Sequence, residues 1–330
     1  MIRVKERKSE MKRLLLSLVV FGTFFVSTMA WGAEKEKPPA FRFEKAEGKY
    51  LRLFEGNKPV LTYSYGMLLK EGVPEDRRRS CYIHPVYGLD GEVLTDDFPA
   101  DHLHHRGLCW VWPRVIVGNN EYDLWSLQGV GQKFERWLGQ KVTPKCAVFG
   151  AEAGWYAGEK NILNEKVWVH VFPATEKGRA IDVALTLEAT KEPVTISGRP
   201  PVKGYGGFSF RFAPREETVL TTPAGKEPED SNLKRYPWAD LSAKFAGRDT
   251  FSGVAIFDNP KNPGFPNGWT LRHYGFLGVA WPGLELYTLK PGEPLELRYR
   301  VWVHRGGAEK GEVAAACAAY AKTEGKKGNR

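Results

Sequence analysis

Residues 166–189, KVWVHVFPATEKGRAIDVALTLEA, are the stretch that most clearly decides the fold. Residues 166–172 place Lys, Trp, His and Phe on one side and three valines on the other, and residues 180–189 alternate in the same way. Alternation with a period of two is the pattern of a half-buried β-strand. Residues 176–179, EKGR, supply the turn, so the stretch predicts an antiparallel β-hairpin.

Similar patterns extend in both directions from this hairpin. Residues 41–66 predict another hairpin with its turn at Gly56-Asn57, and later strands are predicted over residues 206–212, 253–257, 270–274, 278–281, 284–289 and 295–304. The alanine-rich residues 309–322 predict a single helix. Many short strands, 35 Gly, 22 Pro and one late helix predict an all-β fold, an antiparallel β-sandwich or barrel.

The chain is predicted to have three parts: a signal peptide at residues 1–33, a single β-sandwich domain at residues 34–308, and a C-terminal helix with a basic tail at residues 309–330. Within the domain, residues 227–239 and 259–268 predict loops that are long enough to shape a site.

The N-terminus predicts export. A basic leader precedes an apolar run at residues 14–26, and small residues follow at positions 30–33. These are the parts of a secretory signal peptide. The apolar run is shorter than the roughly 20 residues that span a bilayer. We therefore expect a periplasmic or secreted protein with no stable membrane insertion after signal cleavage.

The basic balance of the chain does not indicate a nucleic-acid partner. The formal net charge is +9, but the first 33 residues carry six basic and two acidic side chains, and the last ten carry four and one. Most of the excess therefore lies in the leader and the tail. Nucleic-acid binding requires a basic face on the folded body.

The chemistry is expected at residues 101–107, DHLHHRG, which combine an acid, three imidazoles and a guanidinium. If the motif is extended, His102 and His104 project to one face, roughly 7 Å apart. Two imidazoles at that spacing suit proton transfer or chelation of a metal. The predicted catalytic residues are His102 and His104, with a complementary group from His84, His273 or Glu285.

Substrate binding is assigned to residues beside the histidines. Arg106 can anchor a carboxylate or vicinal hydroxyls, or it can brace the loop by pairing with Asp97 or Asp101. Because the chain has eleven Trp and thirteen Tyr, stacking on sugar rings is expected, although most aromatic side chains belong to the core. The predicted substrate-binding residues are Arg106, Asp101, His105, Trp110 and Trp112.

No cofactor is predicted. A cupin-type metal site needs a carboxylate a few residues after the histidines, and Gly107 to Trp110 follow instead. If a metal is bound, His102 and His104 are its ligands and a third ligand comes from a distant segment. The four cysteines form no CxxC pair, so they allow three disulfide pairings or remain buried free thiols.

Several motifs resemble the PmoA-like family of exported bacterial proteins. They are YIHP at residues 82–85, TDDFP at 95–99, DHLHHRG at 101–107, GYGGF at 204–208, DNPKN at 258–262, PGE at 291–293, LRYR at 297–300 and VH at 303–304. The resemblance implies a β-sandwich enzyme or binding protein of carbohydrate metabolism. It also implies an architecture like the aldose-epimerase (galactose-mutarotase-like) supersandwich, whose enzymes use His and Glu for proton transfer at a sugar.

Three functions are consistent with these features. The leading hypothesis is an enzyme that acts on a sugar or sugar derivative by histidine-based acid–base chemistry, as an epimerase, lyase or hydrolase. The second is a non-catalytic protein that binds a small-molecule or oligosaccharide ligand. The third is a metal-dependent oxidase or hydrolase with histidine ligands.

Overall fold

The computed structural model describes residues 40–327, with side chains up to residue 323. The predicted signal peptide, residues 1–33, and the last three residues of the basic tail lie outside the described residues. No helix within the described part of the chain is both long and apolar enough to cross a membrane.

The described residues form 22 strands and one α-helix, besides a short 3-10 turn at Glu75–Arg77. The first strands are β1 (Phe41–Ala46), β2 (Tyr50–Glu55), β3 (Lys58–Ser64), β4 (Tyr82–Val86), β5 (Leu108–Val111), β6 (Arg114–Val117) and β7 (Asn120–Tyr122). The central strands are β8 (Gly131–Val142), β9 (Ala147–Ala157), β10 (Lys160–Val171), β11 (Gly178–Ala189), β12 (Val194–Ser197), β13 (Gly207–Arg211), β14 (Arg215–Thr222) and β15 (Gly225–Glu227). The last elements are β16 (Ser231–Arg235), β17 (Trp238–Phe245), β18 (Phe251–Asp258), β19 (Gly268–Arg272), β20 (Phe276–Ala280), β21 (Tyr287–Leu289), β22 (Leu295–Arg305) and α1 (Val313–Lys327).

The strands form two large antiparallel sheets and one small one. The first large sheet has the order β1-β2-β3-β4-β5-β13-β20-β19-β16, and the second has the order β15-β14-β17-β18-β22-β11-β10-β9-β8. The small sheet has the order β21-β12-β6-β7. Neighbours that are distant in sequence, such as β5 and β13, show that the sheets are built from crossovers as well as hairpins.

Aromatic side chains join the inner faces of the two large sheets. Phe208 of β13 stacks on Tyr299 of β22 with 4.3 Å between ring centroids, and Tyr63 of β3 contacts Phe149 of β9 at 5.3 Å. All four rings are almost completely buried. Each such ring contributes roughly 1.5–3 kcal/mol by leaving water. The predicted all-β sandwich with one C-terminal helix is confirmed.

The hairpin predicted at residues 166–189 is also confirmed. Strands β10 and β11 pair antiparallel, with Lys166 opposite Thr186 and Val171 opposite Ile181. The valines of β10 face the core, whereas Lys166 is exposed. The alternation in the sequence therefore assigned the inner face of these two strands correctly.

Other expectations need correction. Residues 227–239 are not a loop, because β16 lies within them and pairs with β19. Its sequence, SNLKR, has no apolar alternation, and the strand is defined by pairing at the sheet edge. The helix begins at Val313 rather than at residue 309, because residues 308–312 form turns. The loop prediction for the stretch after β18 is confirmed, since no strand begins before Gly268.

Two predicted ligand-stacking tryptophans belong to the core. Trp110 and Trp112 are both 0% exposed. The indole N–H of Trp112 donates to the carbonyl of Trp281 at 2.7 Å. The assignment of these two residues to substrate binding is therefore wrong, because no ligand reaches a side chain enclosed between the sheets.

A carboxylate is buried beside Trp110. Glu165 of β10 is 0% exposed and accepts N–H bonds from Trp110 at 2.7 Å, and from Trp155 and Gln132 at 2.8 Å each. Burial raises the pKa of Glu165, and these three donors oppose that shift. Three donors that converge on one carboxylate explain how the core tolerates it. The four cysteines are free, and three of them are buried.

Candidate functional site

The histidine motif forms a tight turn rather than an extended strand. The amide of His102 donates to the carbonyl of Pro99 at 3.0 Å, and the amide of His105 donates to the carbonyl of His102 at 2.8 Å. Bonds between residues three apart are those of β-turns. The expected extended geometry, with only His102 and His104 on one face, is therefore wrong.

This turn brings all three imidazoles together. The rings of His102 and His105 stack with 4.5 Å between centroids and an interplanar angle of 12°. The ring of His104 meets His105 edge-on at 4.7 Å and lies 5.7 Å from His102. The cluster predicted from the sequence therefore exists, but its closest pair of rings is His102–His105, not His102–His104.

The three imidazoles line one side of a pocket of about 210 Å³. The other lining residues are Trp125, Lys203, Tyr205, Thr270, Arg272, Tyr274 and Phe276. These come from loops and strand ends that are distant in sequence, and four of them are aromatic. Convergent polar groups among aromatic walls are typical of a small-molecule site.

Asp101 connects His102 to an arginine of β13. Arg211 Nη2 donates to both carboxylate oxygens of Asp101, at 2.7 and 2.9 Å. Asp101 Oδ2 lies 2.9 Å from His102 Nδ1. Partial burial would raise the pKa of Asp101, but Arg211 and His102 outweigh it and hold the pKa below its usual value. The contact lies within ion-pair distance, although Nδ1 makes no hydrogen bond of regular geometry in the described residues, and it places a negative charge beside one nitrogen of this imidazole.

Tyr274 covers this group from the solvent side. Its ring stacks on His102 at 5.2 Å, and the guanidinium carbon of Arg211 lies 4.7 Å from its centroid. Tyr274 is 40% exposed, which is high for a large aromatic residue. The side chain therefore contacts the histidine cluster on one side and presents the rest of its surface to solvent.

His104 and His105 are neutral at physiological pH. Burial lowers the pKa of His104 to about 4, and the nearby His102 and Arg79 add to the effect. Burial lowers the pKa of His105 even further. His105 is 6% exposed, and its Nδ1 has no hydrogen-bond partner among residues 40–327. Both rings can therefore exchange hydrogen bonds with a ligand without carrying charge.

Arg106 lies beneath the turn and points away from the pocket. Its Nη1 donates to the carbonyls of Leu103 at 2.8 Å and His105 at 2.6 Å, and its Nη2 donates to the carbonyl of Arg77. The guanidinium carbon lies 3.4 Å from the ring centroid of Phe98. Arg106 Nε also lies 3.4 Å from Asp97. These contacts are those of the bracing alternative rather than of a substrate anchor.

His84 faces a different pocket. Its Nδ1 lies 2.9 Å from Thr95 Oγ1, and the ring lines a space of about 660 Å³ together with Lys70, Asp96 and Asp97. Burial lowers the pKa of His84 to about 4. The two pockets are separated by the turn itself, which packs tightly on β4. A Cβ on Gly107 would lie 2.5 Å from the carbonyl oxygen of Ile83, so only glycine fits there.

The other two predicted partners also lie elsewhere. His273 Nδ1 is 3.0 Å from Asp230 Oδ1, and His273 is not among the residues that line the histidine pocket. Glu285 is exposed and lines a separate pocket of about 410 Å³ beside Trp281. The structure thus brings together Asp101, His102, His104 and His105. It does not bring His84, His273 or Glu285 to them.

Strand alternation would have identified part of what the sequence prediction missed. A strand was predicted over residues 270–274. Side chains two residues apart share a face of a strand. Thr270 and Arg272 of β19 accordingly line the pocket, and Tyr274 joins them from the turn that follows the strand. Arg211 carried no local signal, because its partner Asp101 is 110 residues away in sequence.

A metal centre has limited support from the donor set. Within residues 40–327, no group of three or more His, Cys, Asp or Glu side chains is arranged to hold a metal ion. His102 and His104, the predicted ligands for a bound metal, share the pocket with no carboxylate or thiol among its lining residues.

The sequence of this chain matches a defined family over most of its length. The model of the Family of unknown function (DUF6807) matches residues 51–318, which include the whole histidine turn. This chain belongs to DUF6807. The resemblance to PmoA-like proteins remains a prediction, since the family match carries no such description. No curated protein matches the chain.

Solved structures similar to this DUF6807 member include several proteins of sugar metabolism. Galactose 1-epimerase from Lactobacillus acidophilus NCFM matches with 10% identity over 81% of this chain and 99% of that chain, with a TM-score of 0.38. The GalM/aldose epimerase homologue from C. elegans matches with 9% identity over 81% and 99%, with a TM-score of 0.35. The GH36 α-galactosidase AgaA from Geobacillus stearothermophilus matches with 11% identity over 82% and 41%, with a TM-score of 0.36. At such scores we draw no conclusion about the reaction of this chain.

Proposed function

We propose that this protein is a carbohydrate-active enzyme that uses His102 as a general acid–base at a sugar or sugar derivative. The observation that carries the proposal is the sequence of contacts from Arg211 through Asp101 to His102. His102 lines the pocket, and its side chain is 37% exposed. An imidazole that contacts a carboxylate and is open to a ligand suits proton transfer.

The neighbouring rings supply the complementary roles. His104 and His105 are neutral, so they can accept hydrogen bonds from sugar hydroxyls or donate to a developing oxyanion. Trp125, Tyr205 and Tyr274 offer flat faces for a pyranose ring. This arrangement is compatible with epimerisation, elimination or hydrolysis, each of which requires a proton to move at the sugar.

We also propose a cellular location for this activity. The leader at residues 1–33 and the resemblance to exported PmoA-like proteins support a periplasmic or secreted enzyme. Such an enzyme would meet sugars released outside the cytoplasm.

The test is solvent isotope exchange. Purified protein is incubated in D₂O with a panel of neutral and acidic sugars, and proton NMR follows deuterium incorporation and product formation. Proton transfer at carbon predicts exchange that falls by ~10²-fold or more in His102→Gln. His273→Gln is the matched control, because that histidine lies outside the pocket, and its exchange should equal that of the wild type. Unchanged turnover in His102→Gln would exclude the assignment.

A non-catalytic binding protein is the second candidate, and the aromatic walls favour it. It predicts sugar binding without turnover in the wild type. Binding would then survive His102→Gln but be lost in Trp125→Ala. A metal-dependent enzyme, the third candidate, predicts stoichiometric metal by elemental analysis after reconstitution, and loss of that metal in the double variant of His102 and His104.

A further inference from the structure

The lining of the histidine pocket is positively charged. Lys203 and Arg272 are its charged side chains, and no Asp or Glu lines it. Arg272 is held in place by the Ser231 carbonyl at 2.8 Å and by Asn232 Oδ1 at 2.5 Å, and its Nε lies 4.0 Å from Asp230, a carboxylate that does not line the pocket. Lys203 forms no ion pair among residues 40–327. A concave site with one sign of charge concentrates the field on a ligand of the opposite sign.

A third positive charge, on Arg79, lies behind the imidazoles. Arg79 is 1% exposed, and it borders a small cavity shared with His104 and His105. Burial lowers the pKa of Arg79 to about 10, so the guanidinium remains protonated at neutral pH. Its Nη2 donates to the carbonyls of Leu124 and Trp125. Its Nε and Nη1 have no hydrogen-bond partner in the described part of the chain.

The buried charge of Arg79 has no ion-pair partner in the described part of the chain, and Asp123 acts on it only at longer range. Arg211 is paired with Asp101, and Arg106 lies near Asp97. Arg79 has no carboxylate within ion-pair distance in the described residues. An uncompensated buried cation is unfavourable in a medium of low dielectric constant, and an anion nearby relieves it.

Residues of the pocket lining carry buried polar atoms without hydrogen-bond partners in the described part of the chain. Thr270 is 3% exposed and lines the pocket, and its Oγ1 has no partner among the described residues. His105 Nδ1 likewise has no hydrogen-bond partner among the described residues. Buried polar groups normally have hydrogen-bond partners, so unpartnered atoms at a pocket wall indicate where a ligand binds. Thr270 and His105 therefore mark positions for hydroxyl groups.

We propose that the ligand is an acidic sugar, a single uronate ring whose carboxylate lies on the side of Lys203 and Arg272. This inference rests on the proposed function and names its substrate class. A pocket of about 210 Å³ is smaller than the roughly 300–1,000 Å³ typical of sites for larger organic ligands. The cations and the unpartnered hydroxyl acceptors together fit a ring that carries one carboxylate and several hydroxyl groups.

A carboxylate also makes the proposed chemistry easier. The carbon–hydrogen bond next to a carboxylate is acidic only when the carboxylate charge is offset, which the two cations can do. His102 takes the proton from that carbon, and the electron pair of the broken bond moves onto the carboxylate as an enediolate. Return of a proton to the same carbon restores the sugar, with the original or the inverted configuration. No oxidant or reductant is needed.

Calorimetric titration with matched sugars tests the charge preference. The probes are D-glucuronate, its neutral isostere D-glucuronamide, D-glucose, and glucose 6-phosphate as the alternative anion. We expect D-glucuronate to bind at least tenfold more tightly than D-glucuronamide at low salt, and this advantage to shrink as NaCl is raised. Equal affinity for acid and amide, or binding of the phosphate alone, overturns the uronate assignment, as does a lack of binding by all four probes.

Variants locate the carboxylate. Lys203→Gln should remove most of the preference for D-glucuronate over D-glucuronamide, and the exposed Lys166→Gln on β10 is the matched control that should retain it. Lys203→Gln removes no internal hydrogen bond recorded in the structure, so it is expected to fold. An unchanged preference in Lys203→Gln and Arg272→Gln contradicts the proposal. Charge-dependent binding without isotope exchange would uphold the ligand class while refuting the enzymatic function.

Discussion

Lowering the pH from 7.5 to 5.0 should destabilise the folded protein by about 2 kcal/mol through His84 alone. Burial of this ring lowers its pKa from 6.5 to about 4. Because the folded-state pKa lies below the unfolded-state value, the unfolded chain takes up the proton first. The stability is fully present above pH 6.5 and is lost as the pH falls toward 4.

Other groups change the overall pH profile, so His84 must be isolated. His104 and His105 have lowered pKa values and add losses of the same sign. Burial raises the pKa of Asp97 and of Asp258 to about 6 each, and these carboxyls stabilise the folded state as the pH falls. The raw slope of stability against pH is therefore a mixture of opposing contributions. Subtracting the unfolding free energy of a variant that lacks His84 from that of the wild type removes the contributions that both proteins share.

The assay is urea denaturation of the wild type and of His84→Gln at pH 7.5, 6.5, 5.5 and 5.0. Glutamine keeps a polar group near Thr95 but does not titrate. The loss of unfolding free energy between pH 7.5 and 5.0 should be about 2 kcal/mol smaller in the variant. Asn119→Ser, a change in an exposed turn, should follow the wild type at every pH. Parallel curves for the wild type and His84→Gln would refute the claim that burial keeps this ring neutral.

Three further outcomes are expected. Glu165→Leu should lower the unfolding free energy by about 2–5 kcal/mol in chemical denaturation, since three buried donors lose their acceptor, and a loss below 1 kcal/mol would contradict this account. His105→Phe should raise stability at pH 7.5 by about 1 kcal/mol by removing an unpartnered buried nitrogen, while sugar binding weakens; a destabilised variant with intact binding would contradict it. Asp101→Asn should lower turnover by ~10²-fold or more with a smaller change in KM, and an unchanged pH–rate profile would exclude an orienting role.

The fold was predictable where one strand face is buried. Residues 166–189 alternate because β10 and β11 each have a core face and an outer face. Strand β16 was not predictable, because its pattern of exposure reflects pairing at an edge rather than its own sequence. Strand β18 was predicted at residues 253–257 although almost all of its residues are buried and no alternation remains.

The site was predictable in its centre but not in its walls. The residues of the motif marked the centre of the site, but an extended backbone would have placed only His102 and His104 on one face, and the turn is what brings His105 to them. The partners of this cluster depend on the topology. Arg211 reaches Asp101 because β13 pairs with β5, which follows the turn directly. His273 was chosen for its chemistry, but its backbone and ring bond to Asp230, and it does not line the pocket as Tyr274 does.

The composition of the turn is hard to explain by packing alone. His105 contacts Trp125 at 5.5 Å and Phe276 at 5.4 Å, in surroundings where a phenylalanine would pack as well without a buried nitrogen that lacks a partner. Such a nitrogen costs about 1–3 kcal/mol. Arg79 adds an unpaired buried charge a few ångströms behind it. Unfavourable groups of this kind are expected at a pocket where a ligand supplies their missing partners. The His105 nitrogen lacks a hydroxyl partner and Arg79 lacks an anion, and one acidic sugar carries both.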